Sequence, residues 1–279
     1  MSFEIVPAHD IPLSEQAGVF NDAFTGYLAG WTSMDAPAVA RFLCAQGADL
    51  CYSRFVREKD GTLVAFGYIN RTGNIPRVAG MGTVPAARRT GAAGYLISQL
   101  LDEAKARGDE AMVLEVFEQN LPAHTLYRRY GFREMTRLFG WRRGHEVQLA
   151  SSQPDQIEEC SILAASQTVS AIEYPNLPWQ ISRHAIAKLA DTRAYRANNA
   201  SIVIGNPESP PVRVHGLFSN AKNVDWESLR IALRSVLRLF PKREFFAPPI
   251  FPEEFGVEIF EPLSFSREPL NQFLMRRDL

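Results

Sequence analysis

The chain has 279 residues, of which 46% are hydrophobic and 22% are charged, and its formal net charge at pH 7 is -1. This length is sufficient for two hydrophobic cores, and the composition is that of an ordinary globular protein. A net charge near zero gives no electric field that would attract nucleic acid or an anionic membrane, and no apolar run is as long as a membrane span. We therefore expect neither a nucleic-acid partner nor a membrane partner.

Cysteine and histidine usage predicts the compartment and the absence of a metal site. Cys44, Cys51 and Cys160 share no spacing typical of metal ligands and leave one cysteine over after any pairing, which favours a reducing environment. The first ten residues have neither a basic start nor an apolar stretch, so no signal peptide is expected. The five histidines also lack ligand spacing. The sequence predicts a cytoplasmic protein without a metal.

Hydrophobic periodicity predicts alternating strands and helices in the first half of the chain. The predicted strands are Phe3–Val6, Cys51–Val56, Leu63–Ile69, Val78–Val84, Met112–Phe117 and Leu138–Arg142. The predicted helices begin near Ser14, at Asp35, after Gly91 and at Asn120, and the last of them ends at Gly131. A hairpin followed by a strand–helix–strand–helix run predicts a mixed α/β fold.

The pattern begins again after a polar stretch over residues 144–156. Its segment Ser151–Pro154 is the most favourable domain boundary, and we place the first domain at 1–146 and the second at 147–279. The second half is predicted to contain a hairpin, one further strand and a helix, over Thr192–Tyr195, Ser201–Ile204, Val212–Phe218 and from Asp225.

Two segments in the two halves correspond in spacing. Leu126–Phe132 aligns with Ile259–Phe265, and each segment is followed by an arginine pair, Arg142-Arg143 or Arg276-Arg277. Together with the order of elements, this correspondence predicts a duplication of one unit. The proline-rich stretch Phe246–Pro252 has no visible counterpart in the first half.

Glycines open the third predicted helix directly after two arginines, in the run from Arg88 to Gly94. In the first turns of a helix, glycine costs up to about 1 kcal/mol relative to alanine, so it is expected where the backbone must approach another group closely. The free N–H groups of the first turn and the helix dipole favour an anion at that point. The alternative is a helix that packs tightly on the sheet through Gly91 and Gly94.

In its context this run resembles the signature of the GNAT superfamily of N-acetyltransferases. Thr83–Ala93 contains a strand end, a proline turn and Arg-x-x-Gly-x-Ala, and a second signature runs from Asn120 through Leu126-Tyr127 to Gly131-Phe132. The resemblance covers Phe3 to Arg143 in the order of elements. Its departures are Thr83, where the family usually has valine, and Ala93, where glycine is commoner. It implies a GNAT fold for the first domain and a degenerate GNAT-like second domain.

The resemblance implies that acetyl-CoA binds as co-substrate where two parallel strands separate. Backbone groups would contact the pantetheine arm and the pyrophosphate, and the side chain of Asn120 would also contact the pantetheine. The alternative role of Asn120 is that of a helix N-cap. The implied cofactor-binding residues are Met81, Thr83, Val84, Arg88, Arg89, Thr90, Gly91, Ala92, Ala93, Gly94, Asn120 and Tyr127.

Tyr127 and Glu115 are the candidate catalytic residues. The resemblance implies that Tyr127 protonates the departing thiolate, and its alternative role is that of a core aromatic. Glu115 shares a strand face with Val113 and Phe117, where a carboxylate is costly unless it is paired or hydrated, and such a setting suits a general base. The local string is similar to the ribosomal-protein alanine N-acetyltransferases, in which a glutamate here is the base. The alternatives are a salt bridge from Glu115 to an arginine, and Glu118 as base.

The second half lacks both signatures. Phe260 stands at the place of Tyr127, Ser264 stands at the place of Gly131, and residues 219–225 contain no glycine. We therefore expect one site, in the first half, that acetylates a primary amine of a small molecule or a peptide in a ternary complex. The alternative is a CoA-binding sensor without turnover. The chain is expected to be a monomer or a homodimer.

Aromatic residues that precede the sheet lie in the region that shapes the acceptor pocket in this superfamily. Phe20 and Phe24 are interpreted as core residues, whereas Tyr27 and Trp31 are candidates for contact with the acceptor.

Overall fold

A computed structural model describes residues 3–30, 33–147, 156–168, 177–219 and 224–279. Trp31, the predicted boundary at Ser151–Pro154 and residues 220–223 of the second-half comparison lie outside the described residues.

Two compact units make up the chain. The first unit is Met1–Met135 together with Leu274–Leu279, and the second is Thr136–Phe273. The first unit thus ends about ten residues before the predicted division at 146 and 147, and it also includes the last residues of the chain. The assignment of those two ranges as functional domains stays a prediction.

The first unit contains a sheet with helices on both faces. Its elements are β1 (Phe3–Pro7), α1 (Leu13–Phe24), α2 (Ala36–Gln46), β2 (Ala48–Glu58), β3 (Leu63–Thr72), β4 (Ile75–Thr83), α3 (Ala92–Ala106), β5 (Ala111–Phe117) and α4 (Leu121–Arg129). The strands follow the order β1-β2-β3-β4-β5. Two later strands, β6 (Arg133–Arg143) and β12 (Ser266–Asp278), have residues in both units, and the end of β12 lies beside β5.

Capping residues mark the starts of α2 and α4 as predicted. The Asp35 carboxylate accepts a hydrogen bond of 2.9 Å from the Ala38 amide, and Gly47, with a φ of 62°, follows the last residue of α2. Asn120 accepts a longer bond of 3.4 Å from the Ala123 amide at the start of α4. Each cap satisfies an amide that the first helical turn leaves without a partner.

The two faces of the first unit's sheet are covered by different helices. On one face, Phe20 of α1 packs on Phe66 and Tyr68 of β3, all of them almost fully buried. On the other face, the missing Cβ of Gly67 would lie only 2.9 Å from a Leu100 methyl group, so α3 packs closely on the sheet. Burial of each such large side chain contributes roughly 1.5–3 kcal/mol.

The second unit repeats this kind of architecture. Its elements are β7 (Glu158–Cys160), α5 (Ile162–Thr168), α6 (Arg183–Ile186), β8 (Thr192–Ala197), β9 (Ala200–Gly205), β10 (Val212–Ser219), α7 (Trp226–Leu239), β11 (Phe245–Pro252) and α8 (Glu253–Phe255). A π-helical turn over Gly256–Phe260 and a 3-10 turn over Glu261–Leu263 follow α8. The sheet order is β12-β6-β11-β10-β9-β8-β7. No helix in the described part of the chain has both the length and the apolar character to cross a membrane.

The proline-rich stretch does have a counterpart in the first half, so that interpretation was wrong. It forms β11, which pairs in parallel with β10 at Val212 with Phe245 and at Arg213 with Phe246. β4 and β5 pair in the same parallel sense. The register of β11 against β6 shifts between Ala247 and Phe251, the interval that contains both Pro248 and Pro249. Proline is tolerated in a strand at such an irregularity because no ladder hydrogen bond is needed there.

The aligned segments of the two halves share their backbone geometry. The Phe132 amide donates to the Tyr127 carbonyl at 3.1 Å, and the Phe265 amide donates to the Phe260 carbonyl at 3.0 Å. In each segment the residue directly before the phenylalanine that donates this bond has a left-handed backbone, with a φ of 84° at Gly131 and 61° at Ser264. Serine adopts this conformation at a cost, whereas glycine adopts it freely. The correspondence supports a duplicated unit.

Candidate functional site

β4 and β5 separate after a short parallel contact. They pair only at Arg77 with Val113 and at Val78 with Leu114, although both strands continue for several residues. At the point of separation, Ala79 has no partner on β3, because Tyr68 lies opposite Gly80 and Ile69 lies opposite Val78. Such a bulge bends its strand. The result is a gap between two strand ends.

Hydrogen bonding in β3 and β4 determines which backbone groups point into this gap. The Val84 amide donates to the Val64 carbonyl at 2.9 Å, and the Val84 carbonyl accepts from the Ala87 amide at 3.0 Å. Because the direction of the backbone groups alternates along an antiparallel strand, those of Met81 and Thr83 point away from β3. Of the three residues predicted to bind the cofactor here, Met81 and Thr83 thus present backbone groups to the gap. Both backbone groups of Val84 are already engaged.

The first turn of α3 begins in open space and has no side-chain cap. Gly91 has a φ of 99°, and apart from its own and its two chain neighbours' atoms, no atom of the described residues lies within 4 Å of the position that its Cβ would occupy. The first amide with a helical acceptor is that of Tyr95, which donates to the Gly91 carbonyl at 2.9 Å. The amides of Ala92, Ala93 and Gly94 precede it and have no acceptor within the helix. This turn has the geometry of an anion site.

The two arginines of the run differ in what they contact. Arg88 turns back on the chain, where its Nη2 donates to the Ala23 carbonyl at 3.1 Å and its Nε lies 3.4 Å from the Thr83 carbonyl. Arg89 is exposed and has a φ of 66°. Arg88 therefore ties the end of α1 to the end of β4, whereas Arg89 is available to an anion.

Tyr127 lies in the last turn of α4, near the side chains of Tyr27 and Phe132. Its side chain is buried, and burial raises the pKa of the phenol, with a smaller contribution from the neighbouring Tyr27. Burial also raises the pKa of Tyr27, against the effect of its hydrogen bond with Asn120. The Tyr27 ring lies 6.1 Å from that of Phe117, between centroids. Asn120 thus serves both as the helix cap and as a partner of Tyr27.

Glu115 forms a buried ion pair with Arg77. The Arg77 Nε and Nη2 both contact the Glu115 Oε2 at 2.7 Å, and the two side chains are 5% and 3% exposed. The Arg77 Nη1 also donates to the Gln46 Oε1 at 3.2 Å. The other carboxylate oxygen, Glu115 Oε1, is buried and has no hydrogen-bond partner among the residues that the structure describes. The salt bridge named as an alternative is therefore present, and one oxygen remains free for another donor.

Sequence reasoning missed two residues of this region, Arg77 and Tyr130. Arg77 has no motif position and becomes visible only through strand pairing, whereas Tyr27, singled out as a candidate for acceptor contact, is hydrogen-bonded to Asn120. The Tyr130 hydroxyl lies 2.7 Å from the position of a Gly94 Cβ, so this glycine is needed for contact with α4 as well as for an open first turn. Both roles considered for Gly94 are thus compatible.

One family model matches the chain. Residues 18–132 match the model of the acetyltransferase (GNAT) family. No curated protein matches the chain.

Solved structures of low sequence identity share the fold. A GCN5-related N-acetyltransferase of Anabaena variabilis is 13% identical with a TM-score of 0.68, over 99% of this chain and 73% of that chain. A GCN5-related N-acetyltransferase of Sphaerobacter thermophilus is 12% identical with a TM-score of 0.61, over 99% of this chain and 95% of that chain. A tandem GNAT protein from the clavulanic acid biosynthesis pathway is 14% identical with a TM-score of 0.63, over 99% of this chain and 98% of that chain. The predicted fold class, a mixed α/β GNAT fold with a second GNAT-like half, is confirmed.

Proposed function

We propose that this chain, whose residues 18–132 match the model of the acetyltransferase (GNAT) family, moves the acetyl group of acetyl-CoA to a primary amine of a small molecule or peptide by direct attack in a ternary complex. One observation carries the proposal, the separation of β4 from β5 beside the uncapped first turn of α3. A gap between strands next to free amides suits an extended thioester that ends in a pyrophosphate. We propose a cytoplasmic monomer or homodimer, in keeping with three free cysteines.

The proposed cofactor contacts are mostly made by the backbone. The groups of Met81 and Thr83 that point away from β3 would pair with the pantetheine arm, whereas Val84 would contribute only its side chain. The first-turn amides of α3 would hold the pyrophosphate, with Arg89 adding charge. Arg88 would act indirectly, because its contacts with the Ala23 and Thr83 carbonyls hold the turn that precedes α3. The other residues of the predicted cofactor-binding set remain proposed contacts: Thr90, Gly91, Ala92, Ala93, Gly94, Asn120 and Tyr127.

The chemistry would be shared by two side chains. Oε1 of Glu115, directly or through a water, would take the proton of the amine as its nitrogen forms a bond to the acetyl carbon. The Met81 or Thr83 amide would polarise the thioester carbonyl, because the Val84 amide already donates to the Val64 carbonyl. As the carbon–sulfur bond breaks, the Tyr127 hydroxyl would donate its proton to the thiolate. The raised pKa of Tyr127 supports this role, because the phenol stays protonated.

Transfer is tested with the purified chain, acetyl-CoA and a panel of primary amines and amino-terminal peptides. We expect release of free CoA thiol and a product heavier than the amine by one acetyl group. If CoA binds by calorimetry but no panel member gives release above the rate of spontaneous hydrolysis, the competing function is favoured, a CoA-binding sensor. The ion pair with Arg77 favours the sensor function, because it occupies one carboxylate oxygen of Glu115, the proposed base.

Glu115→Gln is expected to lower turnover about 100-fold or more, because an amide takes up no proton from the amine. The variant keeps the shape of the side chain and a hydrogen-bond acceptor for Arg77, but it removes the partner of a buried charge, so urea unfolding is measured beside the kinetics. The matched control is Glu118→Gln, for which we expect turnover near that of the parent. Steady-state rates at saturating amine give the comparison. A loss in the control with full activity in Glu115→Gln would assign the base to Glu118.

A further inference from the structure

The end of the chain contacts the end of the helix that carries Tyr127. Arg277 of β12 and the whole of α4 belong to the first unit. The Arg277 Nη1 donates to the carbonyl of Tyr130, which is the C-cap residue of α4. A cation at this end of a helix both satisfies a free carbonyl and complements the helix dipole.

Glycine at position 131 permits this contact. The position of a Gly131 Cβ lies 3.2 Å from the Arg277 Nη1 and 3.5 Å from its Cζ, so the guanidinium group packs against bare backbone. The φ of Gly131 is 84°, which directs the chain away from α4. A side chain here would be strained and would displace the arginine.

The contact reaches Tyr127 through two short links. The Tyr130 amide donates to the carbonyls of Leu126 and Tyr127, each at 3.1 Å. The Phe132 amide also donates to the Tyr127 carbonyl at 3.1 Å, and its ring packs edge-on against the Tyr127 ring. The backbone of Tyr127 is therefore held by the same turn that Arg277 holds.

The second unit contains the same device without a catalytic tyrosine. Nε of Arg143 donates at 3.0 Å to the carbonyl of Leu263, which aligns with Tyr130. Arg143 itself aligns with Arg277, and Phe260 stands in the place of Tyr127. The duplicated contact has a structural role in both units, and only in the first unit does it hold a residue assigned to catalysis.

We propose that Arg277 is a positioning residue for acetyl transfer, which acts by holding the last turn of α4 and with it the Tyr127 hydroxyl. This proposal depends on the proposed function, since it assumes that Tyr127 is the acid. Loss of the guanidinium would loosen the turn and displace the hydroxyl from the sulfur, and a displacement of about 1 Å is enough to cost on the order of 100-fold in rate.

The test compares Arg277→Ala with Arg143→Ala, which removes the aligned contact from the second unit. We expect kcat to fall about 10- to 100-fold in Arg277→Ala and to stay near the parent value in Arg143→Ala. The KM for amine and the calorimetric Kd for CoA are expected to change little in both variants. Arg277→Lys, which keeps the charge and a donor, is expected to restore most of kcat.

A double-mutant cycle separates positioning from a general loss of structure. In the Tyr127→Phe background, Arg277→Ala is expected to lower kcat no further, because the hydroxyl that it positions is already absent. Equal kcat in the Arg277→Ala and Arg143→Ala variants, or fully additive losses in the cycle, would overturn the proposal. A parent protein that releases no CoA with any amine would instead contradict the proposed function.

Discussion

Tyr127→Phe is expected to lower kcat by about 10²- to 10⁴-fold while the Kd for CoA stays nearly constant. The substitution removes only the hydroxyl group, so the buried ring and its edge-on contact with Phe132 remain. Without the phenol, the thiolate must leave unprotonated or take its proton from water. Steady-state kinetics with the best amine of the panel and calorimetry with CoA give the two values.

A matched control exists in Tyr68, another buried tyrosine with a raised pKa. Its hydroxyl donates to the Gln16 Oε1 at 3.0 Å in the core between β3 and α1. Tyr68→Phe is expected to lower the free energy of unfolding by about 1 kcal/mol and to leave kcat unchanged. If both variants keep full turnover, Tyr127 is a core aromatic and not an acid.

The raised pKa of Tyr127 also predicts the alkaline limb of the pH–rate profile. An acid is active in its protonated form, which is present below its pKa. Because burial moves the pKa above the ordinary tyrosine value of about 10, kcat is expected not to fall on the alkaline side up to that pH. A fall in kcat between pH 8 and about 9 that Tyr127→Phe abolishes would contradict the raised pKa, while it would still identify Tyr127 as the acid.

Local signals predicted most of the first unit because its elements are marked by residues with one dominant preference. Asp35 and Asn120 cap the helices that they were expected to cap. The start of β6 was misplaced by five residues, since Arg133 and Glu134 read as a polar loop although they belong to a strand. The strand β11 was missed because Pro248 and Pro249 argue against pairing, and only the shifted register accommodates them.

The site was predictable where a motif requires particular backbone geometry and not where side chains meet across elements. Gly91 was singled out as a glycine in the first turn of a predicted helix, and its φ of 99° is a conformation that glycine adopts freely. By contrast, the bond from Arg88 to the Ala23 carbonyl joins residues far apart in sequence, and nothing in either segment announces it. The ion pair of Arg77 with Glu115 also joins residues far apart in sequence. It uses one oxygen of the carboxylate and leaves the other without a partner among the described residues.

Ala93→Glu is expected to weaken CoA binding about 100-fold or more without destabilising the fold. Ala93 lies in the first turn of α3, which has no acidic residue, and a carboxylate there is favoured by the helix dipole by about 0.3–1 kcal/mol. The same charge would repel a pyrophosphate held by the amides of this turn, and two like charges about 4 Å apart near a protein surface cost about 4 kcal/mol. Stability and affinity are thus expected to change in opposite directions, which a merely misfolded variant does not show.

Ala93→Gln is the control, since it has the same shape without the charge. We expect it to weaken CoA binding less than Ala93→Glu, and the difference between the two to shrink at high salt, because exposed charges are screened. Substitution of Gly91 would be a poorer test, because its φ of 99° makes any side chain strained whatever it does to a ligand. Urea unfolding gives the stability and calorimetry with CoA gives the affinity. If Ala93→Glu binds CoA as tightly as the parent protein, the pyrophosphate lies elsewhere, and Gly94 serves only the packing of α3 against Tyr130.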